Sequence, residues 1–154
     1  KIEDNEGNVI AQFQPRMNEV ISQESADKML YMLRGVIDGG TGGRIRYKYN
    51  LKGEIGGKTG TTNNNSDAWF MGLTPSLVSG VWVGGDDRDI HFDSMQMGQG
   101  ATMALPIWAY YMNMVYADKT LDYSPDAKFD IPKDFDFCEN KDSLNFNSIQ
   151  DVFY

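Results

Sequence analysis

The string Gly56-Gly57-Lys58-Thr59-Gly60-Thr61-Thr62 sets one ammonium group among hydroxyls and glycines. Two chemistries use a Gly-Lys-Thr core. One is phosphate binding, in which a loop of the form Gly-x-x-x-x-Gly-Lys-Thr wraps its backbone N–H groups around phosphates. Counting back from Gly57, the first glycine of that loop would fall at position 52, which is Lys52; Gly53 misses by one. The loop must also run into a helix whose N-terminus faces the phosphates. Here Gly60 and Asn63-Asn64-Asn65 follow, a poor helix sequence. The phosphate reading fails on both counts.

The other chemistry is a Lys-Thr-Gly strand that lines the site of serine acyl transfer to D-alanyl peptides and β-lactams. Such a substrate ends in a carboxylate, which an ammonium and a neighbouring hydroxyl can hold. A glycine next in line removes a side chain that would block a substrate lying along the strand edge. The following residue can pair with the substrate as an added strand, and its N–H points to where an oxyanion develops. By this logic Lys58, Thr59, Gly60 and Thr61 are the candidate site residues.

The flanking sequence supplies elements to position them. Residues 2–4 and 8–13 flank Asn5-Glu6-Gly7, a hairpin pattern ended by Pro15. Ser22 is a good helix N-cap, with Glu24 in the favourable first turn. Ala26, Met29, Leu30, Leu33, Val36 and Ile37 then recur at helical spacing, and Gly39-Gly40 stops the run. Residues 41–53 read as a polar, basic connection. Three strands follow, over about residues 54–61, 68–73 and 77–84, with short connections that make them antiparallel neighbours. Residues 86–100 read as a loop rich in Gly, Asp and Met. A helix starts near Ala101, with Pro106 in its first turn. Its apolar residues, from Ile107 to Tyr116, cover most of the circumference, which predicts burial on nearly all sides.

Composition narrows the function. The 154 residues fit one domain or a large piece of one, and the net charge of −8 disfavours nucleic acid and anionic lipid as partners. The single cysteine, Cys138, excludes an internal disulfide, and one histidine, His91, cannot build a His-rich metal site. No cofactor and no metal is expected. No apolar run approaches the roughly 18 residues of a membrane helix. The chain starts at Lys1 without Met or leader, which reads as a piece of a longer protein with any targeting segment upstream. From Asp118 onward nine acids face four bases without periodicity. Residues 129–132 are expected to pack on the domain, and residues 134–154 to form an acidic tail.

Beyond the Lys-Thr-Gly core, the motif continues through Ser66-Asp67-Ala68-Trp69-Phe70-Met71-Gly72, Thr74-Pro75 and Val81-Trp82-Val83-Gly84. Upstream lie Met32-Leu33-Arg34-Gly35-Val36 and Gly40-Thr41-Gly42; downstream is Ala104-Leu105-Pro106-Ile107-Trp108. In order and spacing this series resembles the bifunctional (class A) penicillin-binding proteins, over about residues 2–132. The resemblance implies an α+β fold, an antiparallel β-sheet flanked by helices, of which residues 1–133 are the C-terminal part of a transpeptidase domain. Lys58 would orient the substrate carboxylate and support proton transfer. The hydroxyls of Thr59 and Thr61 would bind that carboxylate, and the Thr61 N–H would be one oxyanion donor. Trp69 and Trp82 would be structural. The intact protein would cross-link peptidoglycan stem peptides through an acyl-serine, and β-lactams would acylate the same serine. It would work on the extracytoplasmic (periplasmic) face of the membrane, with an anchor and a glycosyltransferase domain upstream. The partner implied is the missing N-terminal portion. Without it the segment would be inactive and prone to self-association at open sheet edges.

The family pattern needs Ser-x-x-Lys and Ser-x-Asn before Lys-Thr-Gly. Ser25-Ala26-Asp27-Lys28 matches only as a string, and helix-start chemistry explains Ser25. Ser143-Leu144-Asn145 lies after the strand and reads as a solvated tail. The nucleophile is therefore expected outside this sequence. His91, beside Asp86, Asp87 and Asp89, reads as a rim histidine in a strand-end turn, without the twelve-residue spacing of a calcium loop. Two rival readings share the strand: a β-lactamase-like serine hydrolase, and a non-catalytic peptide-binding module.

Overall fold

The structure is a computed structural model that describes residues 1–14 and 18–132. Cys138, the Ser143-Leu144-Asn145 string and the expected tail lie outside the described residues. The first hairpin forms as the turn residues dictate: β1 (Ile2–Glu3) pairs antiparallel with β2 (Val9–Ala11). Gly7 takes φ 85°, a left-handed conformation that glycine adopts without strain. The Asp4 carboxylate accepts from the N–H groups of Glu6 and Asn8 and from the Asn8 side-chain amide, each at 2.9 Å.

Helix α1 (Gln23–Asp38) begins and ends where its capping residues put it. The Ser22 hydroxyl accepts from the Ser25 N–H at 3.3 Å, and the Gly39 N–H closes on the Gly35 carbonyl. A single turn, α2 (Arg44–Tyr47), follows within the stretch that read as a connection. Four residues are too few to show a period, yet Ile45 is fully buried.

The centre is an antiparallel meander of β3 (Gly56–Thr61), β4 (Asp67–Leu73) and β5 (Val78–Gly84), in the order β3-β4-β5. Lys58 lies opposite Met71, Gly60 opposite Trp69, and Trp69 opposite Trp82. Strand alternation puts these side chains on one face and Thr59, Thr61, Ala68, Phe70 and Val81 on the other. The second face carries the core. The one-turn helix α3 (Met95–Gly98) lies in the loop after β5, and α4 (Ala104–Ala117) then packs across β4 and β5. Trp108 of α4 meets Phe70 edge-on, 5.2 Å between ring centroids, and donates its indole N–H to the Ser79 hydroxyl at 2.8 Å. That bond satisfies the polar end of an otherwise fully buried ring.

One expectation needs correction. Helix α4 buries one face only: Leu105, Trp108 and Met112 are inaccessible, whereas Tyr110 and Met114 are 61% and 65% exposed. The helix leans on a single surface, so its apolar circumference exceeds what that surface can cover. Trp69 and Trp82 lie opposite each other on neighbouring strands, each 46% exposed on the open face of the sheet. The Trp82 indole donates to the Asp67 carboxylate at 3.1 Å, anchoring β5 to the start of β4. Near the end of the described chain, Phe129 does pack back: its N–H donates to Glu54 at 2.8 Å, and the Arg34 guanidinium lies 6.0 Å from its ring centre.

Candidate functional site

Among the described residues strand β3 is an edge strand, paired with β4 on one side only. Its first residues, Gly56 and Gly57, are buried, and its last four are open or half-open. Alternation separates the chemistry along this open half. Lys58 projects on the face shared with Trp69 and Met71, and Thr59 and Thr61 project together on the other. The Lys58 ammonium curls back to donate to the Thr59 carbonyl at 2.8 Å. An ammonium has three donor hydrogens, so two stay available to a ligand.

Both threonine hydroxyls are backed from behind. The Gly100 N–H donates to the Thr61 hydroxyl oxygen at 3.0 Å. A hydroxyl that accepts from a backbone N–H still has its own O–H to give. The Thr59 hydroxyl lies 3.1 Å from that of Thr41, either of which can donate. Two segments distant in sequence thus meet β3, one just before α2 and one just before α4. Arg44 of α2 links them by donating to the Ala101 carbonyl at 3.4 Å. Gly100 must be glycine, because a Cβ there would strike the backbone carbonyls of Trp69 and Gly60. Its N–H can reach Thr61 only because its backbone lies directly on the sheet.

The four candidate strand residues are named by consecutive letters of the sequence, whereas neither backing contact is. Thr41 stood in the quoted Gly-Thr-Gly string and Gly100 in a Gly-Gln-Gly string; neither string says which strand residue it will meet. The remaining candidates are accounted for differently. Ser25 sits in the first turn of α1, its hydroxyl accepting from that of Ser22 at 3.0 Å, while Lys28 pairs with Glu24 at 2.7 Å. His91 is exposed, with Nδ1 3.3 Å from the Phe92 carbonyl. Asp87 accepts from the Asp89 N–H at 3.0 Å in the turn after β5. His91 also lines a cavity of about 330 Å³ with Asn65, Ala68, Val83, Ile90 and Phe92. None of Lys58, Thr59, Gly60 and Thr61 is among the lining residues. No group of three or more His, Cys, Asp or Glu side chains fit to hold a metal occurs among the described residues, and no described helix is long and apolar enough to cross a membrane.

No model of a protein family matches the chain. Known proteins do. Over 132 residues it is 37% identical to penicillin-binding protein 1A of Aquifex aeolicus, covering 86% of this chain and 17% of that protein. It is 32% identical over 116 residues to penicillin-binding protein 1B of Vibrio cholerae, covering 75% of this chain and 14% of that protein. In three dimensions it matches the crystal structure of penicillin-binding protein 1A from Haemophilus influenzae with a TM-score of 0.60 and 34% identity, covering 74% of this chain and 17% of that one. The chain therefore spans about a sixth of the length of the relatives it matches.

Proposed function

The chain belongs to the penicillin-binding proteins 1A and 1B, as a segment corresponding to a small part of them, and from that premise we propose that it forms the carboxylate-holding wall of a serine D,D-transpeptidase site. The observation that carries this reading is the pair of hydroxyls, Thr59 and Thr61, on one face of an open edge strand, each backed by a neighbour. Hydroxyls supported in this way present their O–H groups to an anion. The carboxylate of a stem peptide, or of a β-lactam, is such an anion. Lys58 adds positive charge from the other face and assists proton transfer at the nucleophile. Gly60 keeps the strand edge clear, and the Thr61 N–H contributes to the oxyanion hole, where one lost donor costs about 10²–10³ in rate.

The serine nucleophile belongs to another part of the same protein, so catalysis needs this segment docked against it. There the serine attacks the penultimate D-alanyl carbonyl, D-alanine leaves, and an amine of a neighbouring strand resolves the acyl-serine into a cross-link. The reaction runs on the outer face of the cytoplasmic membrane, where peptidoglycan is built.

Fluorescent penicillin tests the reading. The full-length protein should take up a stable covalent label, and residues 1–154 alone should take up none. Rapid loss of the label would indicate a hydrolase instead, and absence of any label a non-catalytic peptide-binding module. A label on Ser25 in the isolated segment would overturn the assignment of the nucleophile.

A further inference from the structure

Thr41 lies outside the Lys-Thr-Gly strand, in the loop between α1 and α2, 18 residues before Thr59 in sequence. Its hydroxyl is exposed and 3.1 Å from that of Thr59. One of the two hydroxyls must donate and the other accept. If Thr59 donated to Thr41, its only proton would be spent and its lone pairs would face an incoming carboxylate, which repels them. If Thr41 donates, the Thr59 oxygen is satisfied and its proton is free. The second arrangement has a parallel two residues along: the Gly100 N–H, which can only donate, fills the same role for Thr61.

We propose that Thr41 is a positioning residue that donates to the Thr59 hydroxyl and so turns the Thr59 proton toward the substrate carboxylate. This inference rests on the carboxylate-holding function proposed above. Thr41 is well placed for it. The glycine after it is buried, with the Gly42 N–H bonded to the Val36 carbonyl at 2.9 Å, and the Gly43 N–H closes on the Gly40 carbonyl at 3.0 Å. The loop is therefore fixed on both sides of an exposed side chain. A chain of two hydroxyls pointing the same way also polarises its last O–H, strengthening the bond to an anion.

The test uses the full-length protein and two acylating agents, a penicillin and its methyl ester, which lacks the anionic carboxylate. Wild type should react faster with the acid than with the ester. In Thr41→Val the acid rate should fall roughly three- to tenfold, the loss of one neutral hydrogen bond, with the ester rate unchanged. Thr41→Ser should restore the acid rate. Should Thr41→Val fail to fold, as judged by its thermal melt, Thr41→Ala removes the hydroxyl without adding bulk and takes its place. Equal slowing of acid and ester, or of neither, would overturn the role of Thr41 while leaving the carboxylate reading intact. A wild-type protein that does not discriminate acid from ester would instead overturn the carboxylate reading, and this inference with it.

Discussion

Gly56 and Gly57 begin β3 buried beside Leu33 and Ile37 of α1, whereas Lys58, Thr59 and Thr61 end it open or half-open to solvent, steadied by single hydrogen bonds. One strand of six residues is thus held in two ways. The first half is fixed by close packing, which tolerates no added atom. The second half leaves its side chains at the surface and takes its order from two loops, around Thr41 and Gly100. The proposed site wall would need both: a packed base to fix the strand and an open end whose hydroxyls are held in place.

That division can be broken at either end. The largest effect is expected from the packed base. Trp108→Ala would empty the space against Phe70 and orphan the Ser79 hydroxyl, lowering stability by about 3–5 kcal/mol, read from denaturant unfolding. A smaller loss, about 1–3 kcal/mol, is expected for Gly57→Ala, because its Cβ would fall 2.8 Å from both the Phe70 ring and the Met71 carbonyl oxygen. Labelling by penicillin should fall with it, since the strand carries Thr59 on the same face two residues on. At the open end, Thr61→Val should slow acylation and also lower stability by about 1–3 kcal/mol, because it leaves the buried Gly100 N–H without its acceptor; Thr61→Ser keeps that acceptor and should leave both near wild type. The smallest effect lies far from the site, in the first hairpin. Asp4 has its carboxyl pK lowered, first by the Asn8 side chain and then by the Asn8 N–H. A lowered value means the carboxylate supports the turn above the ordinary carboxylate range and that this support is lost as pH falls through the lowered value. The amide resonances of Glu6 and Asn8 should therefore shift on acidification in wild type and stay put in Asp4→Asn.

The same contrast explains what the sequence could tell. Local signals were legible. Ser22 and Gly39 bracket α1, and the runs ending at Thr61, Leu73 and Gly84 become the three strands with their ends within two residues. The four strand residues could be named because their chemistry is written in consecutive letters. What stayed hidden is long-range. Thr41 meets Thr59 across 18 residues and Gly100 meets Thr61 across 39, and no local pattern encodes either pairing. The burial of α4 was overestimated for a related reason: periodicity reports which residues are apolar, and the neighbours decide how many of them are covered.

In the proposed site the open end of β3 holds a carboxylate through Thr59. The most direct test is the acylation rate of the full-length protein carrying Thr59→Val, measured with fluorescent penicillin beside the unfolding midpoint. Loss of a hydrogen bond to a charged group, about 1.5–3 kcal/mol, predicts acylation slower by about ten- to a hundredfold with the midpoint unchanged. An acylation rate equal to wild type would contradict the account and remove Thr59 from the site.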